Sequence, residues 1–320
     1  MAGDVIVTVT LNAALHVGYA AAAAAAAGVV PVSRPGYRAG GRGVTVARLL
    51  RSFGHDVLAA GLAGGSSGEL IREDLARSGV PTAFTPTRGE SRRIYRFTGP
   101  SRGPLRFAEP GPYITTEELG RFAADYRRLL ADAAAVVLCG SLPDGLPPDI
   151  YGTLVTYAAE AGVPAILDAG GEELGHAVGH GPDLVVAEQG RAGAGTGADL
   201  GAALIRLGAG AVAVACGDLV RAVTPAGRWT ARLAVPGTAA RRPARGALVA
   251  GLVPGQLLGW SWPDRLRHAL ALAAGSVAPP GGEGGDGRGA GQDSQGDGGD
   301  RVDLAAYERL LDAVTVEPPG

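Results

Sequence analysis

The stretch from Ala135 to Gly170, AVVLCGSLPDGLPPDIYGTLVTYAAEAGVPAILDAG, decides the fold class. AVVLCG is short, apolar and rich in valine, which predicts a buried β-strand, and PAILDAG predicts another. Between them, the residues from Pro148 to Ala161 have the spacing of a helix that ends at Gly162. Two buried strands joined by a helix are typical of parallel neighbours in an α/β sheet.

The same alternation of apolar strands and amphipathic helices continues along most of the chain. It predicts one α/β domain over residues 1–320, with a mainly parallel sheet covered by helices on both faces. In such sheets, ligands bind outside the carboxyl ends of the strands. The other predicted strands are VIVTVT (5–10), VLAAGLAG (57–64), DLVVAE (183–188), AVAVACG (211–217) and VTVEP (314–318), and the other predicted helices are 44–53, 67–78, 198–207, 246–258, 263–276 and 304–314.

Two segments interrupt this alternation. From Ser91 to Phe107, arginine alternates with isoleucine, tyrosine and phenylalanine. This pattern predicts a two-stranded β-ribbon with one face exposed to solvent. Residues 29–39 offer a partner strand, so we predict a small β lid from about 12–39 and 88–108. The segment from Gly281 to Asp300 is rich in Gly, Asp, Gln and Ser, and it predicts a disordered insertion within the domain.

Composition excludes several classes of function. The chain has a formal net charge of −2 and a pI of about 6.2, which gives no support to nucleic-acid binding. All 29 basic residues are arginine, so mechanisms that need a lysine amine are excluded. The two cysteines form no metal or disulfide motif, and no metal site is predicted. The alanine run at 20–27 is too short to cross a membrane, and the start has no signal peptide, so we expect a cytoplasmic protein.

The segment ARRPARGALVAG, from Ala240 to Gly251, is a candidate anion site. Its second half predicts the start of a buried helix, and its first half is a loop with three arginines. A helix N-terminus presents free N–H groups and the positive end of a dipole to an anion. For Arg241, Arg242 and Arg245, two interpretations remain open: a solvated loop or a phosphate clamp.

Eight motifs, in order, resemble those of PfkB/ribokinase-type carbohydrate kinases, closest to the 1-phosphofructokinase and tagatose-6-phosphate kinase branch. The resemblance implies a ribokinase-like three-layer α/β/α fold with a β lid. It also implies transfer of the γ-phosphoryl group of Mg-ATP to a phosphosugar such as fructose 1-phosphate. The motifs are TVTLNAALHV (8–17), AGGRGVTVARLLRSFG (39–54), GLAGGSSGELI (61–71), GESRR (89–93), LCGSLPDGLPPDIY (138–151), GVPAILDAGGE (162–172), GPDLVVAE (181–188) and ALVAG (247–251).

On the substrate side, the resemblance is partly kept. GGRG at 40–43 resembles the family's GGKG turn, with Arg42 in place of lysine. Arg92 matches an arginine that contacts the sugar's phosphate, although a lid arginine that only solvates an exposed ribbon is an equal alternative. His16 replaces a family acid, which a structural histidine would also explain, and Cys139 replaces a serine. The candidate substrate-binding residues are Asn12, His16, Gly40, Gly41, Arg42, Thr45, Arg92 and Cys139.

On the nucleotide side, most family residues are replaced. The KPNxxE motif has Glu188 at the asparagine and Arg191 at the acid, and the LGADG motif is matched to LGAGA, which begins at Leu207 and Gly208. In the NTVGAGD motif, Gly246 stands at the catalytic aspartate. The anion-hole positions hold Pro243, Ala244 and Arg245. Pro243 has no N–H group to donate, and the loss of a general base typically slows a reaction by about 10²–10⁴-fold.

Three functional hypotheses follow. The first is a catalytically impaired relative, or pseudokinase, that binds a phosphosugar or another small anion while Mg-ATP binding is weakened. The second is an active 1-phosphofructokinase-like kinase with a displaced base; the nearest retained acid is Asp168, which we interpret instead as ordering a strand end. The third is a non-catalytic structural partner, such as a subunit beside a true kinase, with the apolar lid as its interface. Because lids of the family often pair, the resemblance also implies a homodimer through the β lid.

Overall fold

The computed structural model describes residues 5–20, 32–99, 102–189, 197–233, 244–277 and 301–317. These residues form sixteen strands and nine helices. The strands are β1 (Val5–Thr10), β2 (Ala14–Ala20), β3 (Gly36–Gly40), β4 (Val57–Gly64), β5 (Thr82–Thr87), β6 (Arg92–Gly99), β7 (Arg102–Ala108), β8 (Ala133–Cys139), β9 (Ala165–Asp168), β10 (Leu184–Glu188), β11 (Val212–Cys216), β12 (Leu219–Thr224), β13 (Gly227–Leu233), β14 (Ser276–Val277), β15 (Arg301–Val302) and β16 (Val314–Glu317). The helices are α1 (Arg42–Ser52), α2 (Gly65–Arg77), α3 (Thr116–Leu130), α4 (Ile150–Glu160), α5 (Gly171–Val178), α6 (Gly197–Leu207), α7 (Arg245–Leu257), α8 (Trp262–Gly275) and α9 (Leu304–Ala313).

Ten strands form one large sheet, in the order β16-β13-β12-β11-β10-β9-β8-β1-β4-β5. The seven strands from β11 to β5 are parallel, while β12, β13 and β16 pair antiparallel at one edge. The prediction of a mainly parallel sheet is confirmed. The β12–β13 hairpin is not among the predicted strands, because β12 does not alternate apolar and polar residues regularly.

Helices cover both faces of the large sheet, because alternate residues of its central strands point into two separate cores. In β8, Val137 and Cys139 belong to the core formed with α1, α2, α7 and α8, whereas Val136 and Leu138 belong to the core formed with α3, α4 and α5. Continuous apolar strands are what burial on both faces requires. The predicted three-layer, ribokinase-like α/β/α fold is therefore confirmed.

A second sheet of four strands, in the order β3-β2-β6-β7, lies beside the large one. Leu15 and Val17 of β2 are buried in the core that contains α2, so His16 between them faces the other side of this sheet. We keep the name lid for these four strands. Residues 21–31 and 100–101 of the predicted lid, and the predicted insertion at 281–300, lie outside the described residues.

In the part of the chain that the structure describes, no helix combines the length and the apolar character that a bilayer crossing requires.

His268 of α8 lies in the contact between α7, α8 and α9. Its Nδ1 is 2.8 Å from the carbonyl oxygen of Gly251, and its ring meets Phe53 and Tyr307 edge to face. Burial lowers the pKa of His268 below its ordinary value, and the charge of nearby His55 lowers it further. The imidazole is therefore neutral in the folded protein over a wider pH range than in the unfolded chain.

We expect the free energy of unfolding to fall as the pH drops below 6.5, the ordinary pKa of histidine, toward the lower pKa of folded His268. In this window, the unfolded chain binds the proton and the folded chain does not, so lower pH favours unfolding. Above 6.5, His268 is neutral in both states and the effect disappears. His268→Gln keeps a donor for Gly251 and should remove this part of the pH dependence in urea unfolding. Identical pH dependence in both proteins would contradict the assignment.

Candidate active site

The order of the parallel strands creates a crevice next to β1. Strands β4 and β5 lie on one side of β1 and β8 to β11 on the other, so the direction of the crossovers reverses there. In α/β sheets, ligands bind at this reversal, outside the carboxyl ends of the strands. Asn12 follows β1 at this point, and its Nδ2 donates to Ser141 Oγ (3.4 Å) and to the Leu142 carbonyl (3.3 Å), in the loop after β8.

The last residues of β1, β8 and β9 are neighbours at this edge. The strand register pairs Cys139 with Thr10 on one side and with Asp168 on the other. Cys139 is fully buried, and this burial, together with the charge of Asp168, raises the pKa of its thiol well above the ordinary value. The thiol therefore stays protonated, and Cys139 is a weak hydrogen-bond donor rather than a nucleophile.

Asp168 is the centre of a charge cluster, which we call the Asp168 cluster: Arg42, Asp168 and Arg245. The Asp168 side chain has no exposed surface, and its Oδ1 lies 3.0 Å from Arg42 Nη1 and 2.6 Å from Arg245 Nη2. Arg42 also donates to the Asp168 carbonyl (3.2 Å), and Arg245 donates to the carbonyls of Ala169 (2.8 Å) and Val186 (3.1 Å). These contacts fit the interpretation that Asp168 orders the end of β9.

Both arginines of the cluster are the first residue of a helix. Arg42 opens α1 directly after Gly41, whose φ is 116° and where a Cβ would lie 2.7 Å from Thr10 Cγ2, so only glycine fits. Arg245 opens α7 directly after Ala244. Burial acts to lower the pKa of Arg42, but the charge of Asp168 and its hydrogen bond to Arg42 act in the opposite direction and the pKa is raised, so Arg42 is always charged.

Gly246, at the position where the resemblance implies a catalytic aspartate, is the second residue of α7 and is buried. A Cβ on Gly246 would lie 3.0 Å from Thr45 Cγ2 and 3.8 Å from Arg42 Cγ. The structure thus brings Gly246, Thr45, Arg42 and Arg245 together at the starts of α1 and α7. It provides no carboxylate at position 246, and Thr45 leaves little room for one.

His16 covers Gly40 on the lid. A Cβ on Gly40 would lie 2.2 Å from His16 Nε2, so a larger residue there would displace the imidazole. The group that lies close to the Gly40 backbone is therefore the His16 side chain of the lid. Arg92 begins β6 opposite Ala14 of β2 and is half-buried, so the structure locates both predicted substrate contacts, His16 and Arg92, on the lid strands β2 and β6.

Glu90 caps the start of α2 from outside that helix. Its carboxylate accepts from the backbone N–H groups of Ser66 (3.2 Å) and Ser67 (2.6 Å) and pairs with Arg93 (3.2 Å). Hydrogen bonds from Ser67, followed by those from Ser66 and Arg93, lower the pKa of Glu90 to about 2. The GESRR motif therefore supplies α2 with an anion of the chain's own.

Comparison with known proteins agrees with this geometry. A family model described as pfkB family carbohydrate kinase matches residues 7–214, more than half of the chain. The chain belongs to the PfkB family of carbohydrate kinases. It is 34% identical over 169 residues to tagatose-6-phosphate kinase of Staphylococcus epidermidis, covering 53% of this chain and 54% of that protein. This PfkB chain thus spans about half the length of the curated relatives it matches.

Solved structures show the fold of this PfkB chain but not its activity, because their identity to it is low. Phosphofructokinase-2 from Escherichia coli in complex with potassium superposes with a TM-score of 0.79 at 19% identity, over 98% of this chain and 99% of that one. The tetrameric inhibited form of phosphofructokinase-2 from Escherichia coli superposes with a TM-score of 0.73 at 23% identity, over 85% and 93%.

Two residues of the predicted nucleotide side lie at the wrong edge of the sheet. Leu207 ends α6 and Gly208 follows it, in the loop that precedes β11, where Gly210 N donates to the Pro182 carbonyl before β10. This loop is at the amino ends of the parallel strands, whereas the Asp168 cluster and Glu188 are at the carboxyl ends. The prediction that Leu207 and Gly208 line the same site is therefore wrong. The turn that does follow β11 at the carboxyl edge contains Gly217 and Asp218.

The interpretation of Arg245 as part of a solvated loop is also wrong. Its side chain is 18% exposed and forms an ion pair with Asp168, because the start of α7 directs it toward the ends of β9 and β10. The other predicted members of this side, Arg191, Arg241, Arg242 and Pro243, lie outside the described residues.

In the described residues of this site, arginine occupies the carboxylate oxygen, Asp168 Oδ1, at which a divalent metal would otherwise bind. A hard cation such as Mg²⁺ needs carboxylate oxygens, and the Asp168 Oδ1 already binds two guanidinium groups. Among the residues described, no group of three or more His, Cys, Asp or Glu side chains is arranged to hold a metal ion. The positive charge at Asp168 is supplied by arginine.

Proposed function

We propose that this PfkB chain binds a phosphosugar and transfers a phosphoryl group slowly or not at all. The observation that carries the proposal is Gly246, which is buried against Thr45 and Arg42 at the start of α7. A base there would need a carboxylate, and Asp168 nearby is already bound by two arginines. Loss of a general base typically costs about 10²–10⁴-fold in rate.

The proposed ligand is a ketose phosphate of the fructose 1-phosphate or tagatose 6-phosphate type. Support comes from the curated relative that is named tagatose-6-phosphate kinase. It also comes from Arg42, whose guanidinium lies at the carboxyl end of β9. Arg92 on the lid and Arg42 at the start of α1 suit a phosphate, because guanidinium groups bind such oxygens in a bidentate manner. His16 and Asn12 are the proposed contacts of the sugar hydroxyls.

A second candidate function is an active kinase in which Asp168 is the displaced base. One observation favours it: among the described residues, Asp168 Oδ2 is buried without a hydrogen-bond partner, so it has an oxygen free to accept a proton. The two arginines argue against it, because both bind the other carboxylate oxygen, Oδ1, and hold the side chain at the end of β9.

We also propose that the lid forms a homodimer interface and that the protein works in the cytoplasm. Leu105 and Phe107 of β7 are 57% and 53% exposed, and Phe107 continues an aromatic row with Phe97 and Tyr19. An exposed apolar row of this kind is typical of an interaction surface. The two cysteines are free thiols, which suits a reducing compartment.

A coupled assay with fructose 1-phosphate, tagatose 6-phosphate and Mg-ATP tests the central proposal. We expect no turnover near the typical kinase range of about 1–100 s⁻¹. Calorimetry on the same protein should nevertheless detect binding of one of the phosphosugars. Turnover in the ordinary range would overturn the proposal and favour the displaced base, and Asp168→Asn would then abolish it. Binding of neither sugar would favour the purely structural hypothesis.

Restoring an acid at position 246 tests the cause of the impairment. Gly246→Asp alone would place its Cβ 3.0 Å from Thr45 Cγ2, so we expect slight activity only when Thr45→Ala is added to make room. Gly246→Ala with Thr45→Ala is the matched control, with the same shape change and no acid. Equal rates for the two double variants would show that the missing base is not what limits turnover.

A further inference from the structure

We propose that Arg42 and Arg245 form an oxyanion site that works without a divalent metal ion, and that its ligand is a phosphate, either free or as a monoester. This inference uses the binding part of the proposed function, not the absence of turnover. It starts from the charges at the two helix starts. An arginine at the first position of a helix faces the positive end of the dipole, which is unfavourable unless an anion is present. Helices α1 and α7 both begin this way.

Most of the other helix starts of known cap have a capping side chain or an acid nearby. Helix α4 has no cap hydrogen bond and no acid in its first turn, but its N-cap residue is itself an acid, Asp149, whereas the N-cap residues of α1 and α7 are Gly41 and Ala244. Helices α3, α8 and α9 have a side-chain cap, and α5 has two acids in its first turn. Glu90 bonds the N–H groups at the start of α2. Helices α1 and α7 have neither a capping side chain nor an acid in the first turn. Their anion so far is Asp168 alone, one negative charge for two arginines and two helix dipoles.

Hydrogen-bond donors of both arginines remain available within the described residues. A guanidinium has five N–H donors. Arg42 uses only its Nη1, and Arg245 uses only its Nη2, while Arg245 Nε is buried without a partner. The side chains are 15% and 18% exposed, so they can still be reached from the crevice. A buried donor without a partner is costly, and a ligand oxygen would satisfy it.

Open space next to Gly140 and Gly170, and a hydrogen-bond acceptor on Asp168, lie near these arginine donors. A Cβ placed on Gly140 or Gly170, which follow β8 and β9, would meet no described atom within 4 Å. Asp168 Oδ2 is fully buried and has no partner in the described residues, so it can accept from an O–H group. A ligand with anionic oxygens for the arginines and a hydroxyl for Asp168 satisfies both sides. Hydrogen phosphate and phosphosugars have this combination.

The metal is unnecessary because the arginines already supply its charge. In a metal-dependent site, a cation lies between the protein carboxylate and the phosphate. Here the guanidinium groups occupy that place at Asp168 Oδ1. The site therefore has a net charge of +1 before any ligand enters: two arginines against one aspartate.

Calorimetric titration of inorganic phosphate into the intact chain, in buffer with EDTA and again with MgCl₂, tests the inference. We expect the same affinity within about two-fold in both buffers. Arg245→Met should weaken phosphate binding by about 10- to 100-fold, the size expected for lost charge-assisted hydrogen bonds. Arg121→Met on exposed α3 is the matched control, and it should leave the affinity unchanged.

Several outcomes would overturn the inference: phosphate binding that requires Mg²⁺, no phosphate binding in either buffer, or unchanged affinity in Arg245→Met. If Arg245→Met is unfolded, Arg245→Lys keeps the charge without the planar fork, and phosphate should then raise its melting temperature less than that of the wild type. A parallel titration with fructose 1-phosphate separates the two functional claims. Metal-free phosphate binding without phosphosugar binding would keep this site and overturn the proposed function.

Discussion

Asp74→Ala is expected to lower the free energy of unfolding by about 3–5 kcal/mol, the usual effect of removing one partner of a buried ion pair. Asp74 of α2 is 9% exposed, and its Oδ2 binds the guanidinium of Arg48 in α1, which is 6% exposed. The same oxygen accepts from the Ala39 N–H in β3, at 2.7 Å. One carboxylate thus joins two helices to the lid, and its loss removes the ion pair of a buried guanidinium and the acceptor of the Ala39 N–H.

Urea unfolding of three further variants distinguishes this effect from a general sensitivity to mutation. Asp56→Ala removes an exposed partner of Arg51 and should cost at most about 1 kcal/mol. Asp74→Asn keeps an acceptor for Ala39 and should fall between the two. Arg48→Met combined with Asp74→Leu removes both charges and should recover much of the loss. A double variant no more stable than Asp74→Ala would mean that the pair is not the cause.

Asp168→Ala is expected to lower the free energy of unfolding by about 3 kcal/mol in phosphate-free buffer at low salt. The value is at the lower end for a buried pair, because Arg42 and Arg245 keep 15% and 18% of their surface in contact with solvent. Without Asp168, the two guanidinium groups repel each other at two positive helix ends. Chemical unfolding monitored by circular dichroism measures the loss.

Phosphate should partly restore the stability of Asp168→Ala, because an anion that binds only the folded state stabilises it by mass action. The increase in stability with added phosphate should exceed that of the wild type, in which Asp168 competes for the same arginines. Asp168→Asn, which keeps a hydrogen-bond acceptor, should lose less stability and respond less to phosphate. A variant as stable as the wild type in phosphate-free buffer would contradict the central position of Asp168.

Much of the fold can be predicted because the central strands are continuous apolar runs. β1, β4, β8, β9 and β10 are buried on both faces, so their sequences need no alternation and stand out. The β12–β13 hairpin is harder, because Arg221 and the small residues around it give a weak period. Leu207 and Gly208 are misassigned because the match to LGAGA rests on small residues alone. Such a match does not show whether the segment precedes or follows a strand, and this decides whether it lies at the amino or the carboxyl ends of the sheet.

The members of the Asp168 cluster can be picked out one by one, but their pairing cannot. Arg42 and Asp168 are 126 residues apart, and Arg245 is 76 residues from Ala169. Sequence patterns report on neighbours within a helix or strand, whereas these contacts depend on where separate elements end. The Arg48–Asp74 pair cannot be predicted for the same reason: Arg48 belongs to the motif at 39–54, but Asp74 belongs to no motif and lies on a different helix.

Glu90 makes this edge of the sheet selective among neighbouring anion positions. The starts of α1, α2 and α7 all lie at the carboxyl ends of the strands, but α2 already has the Glu90 carboxylate on its N–H groups. An anion that diffuses toward the crevice meets N–H groups at α2 that Glu90 already binds, whereas α1 and α7 have no capping side chain. The Glu90 carboxylate thus fills the anion position at the start of α2 and leaves the starts of α1 and α7 for a ligand. With Glu90→Gln, the start of α2 would become a second anion position.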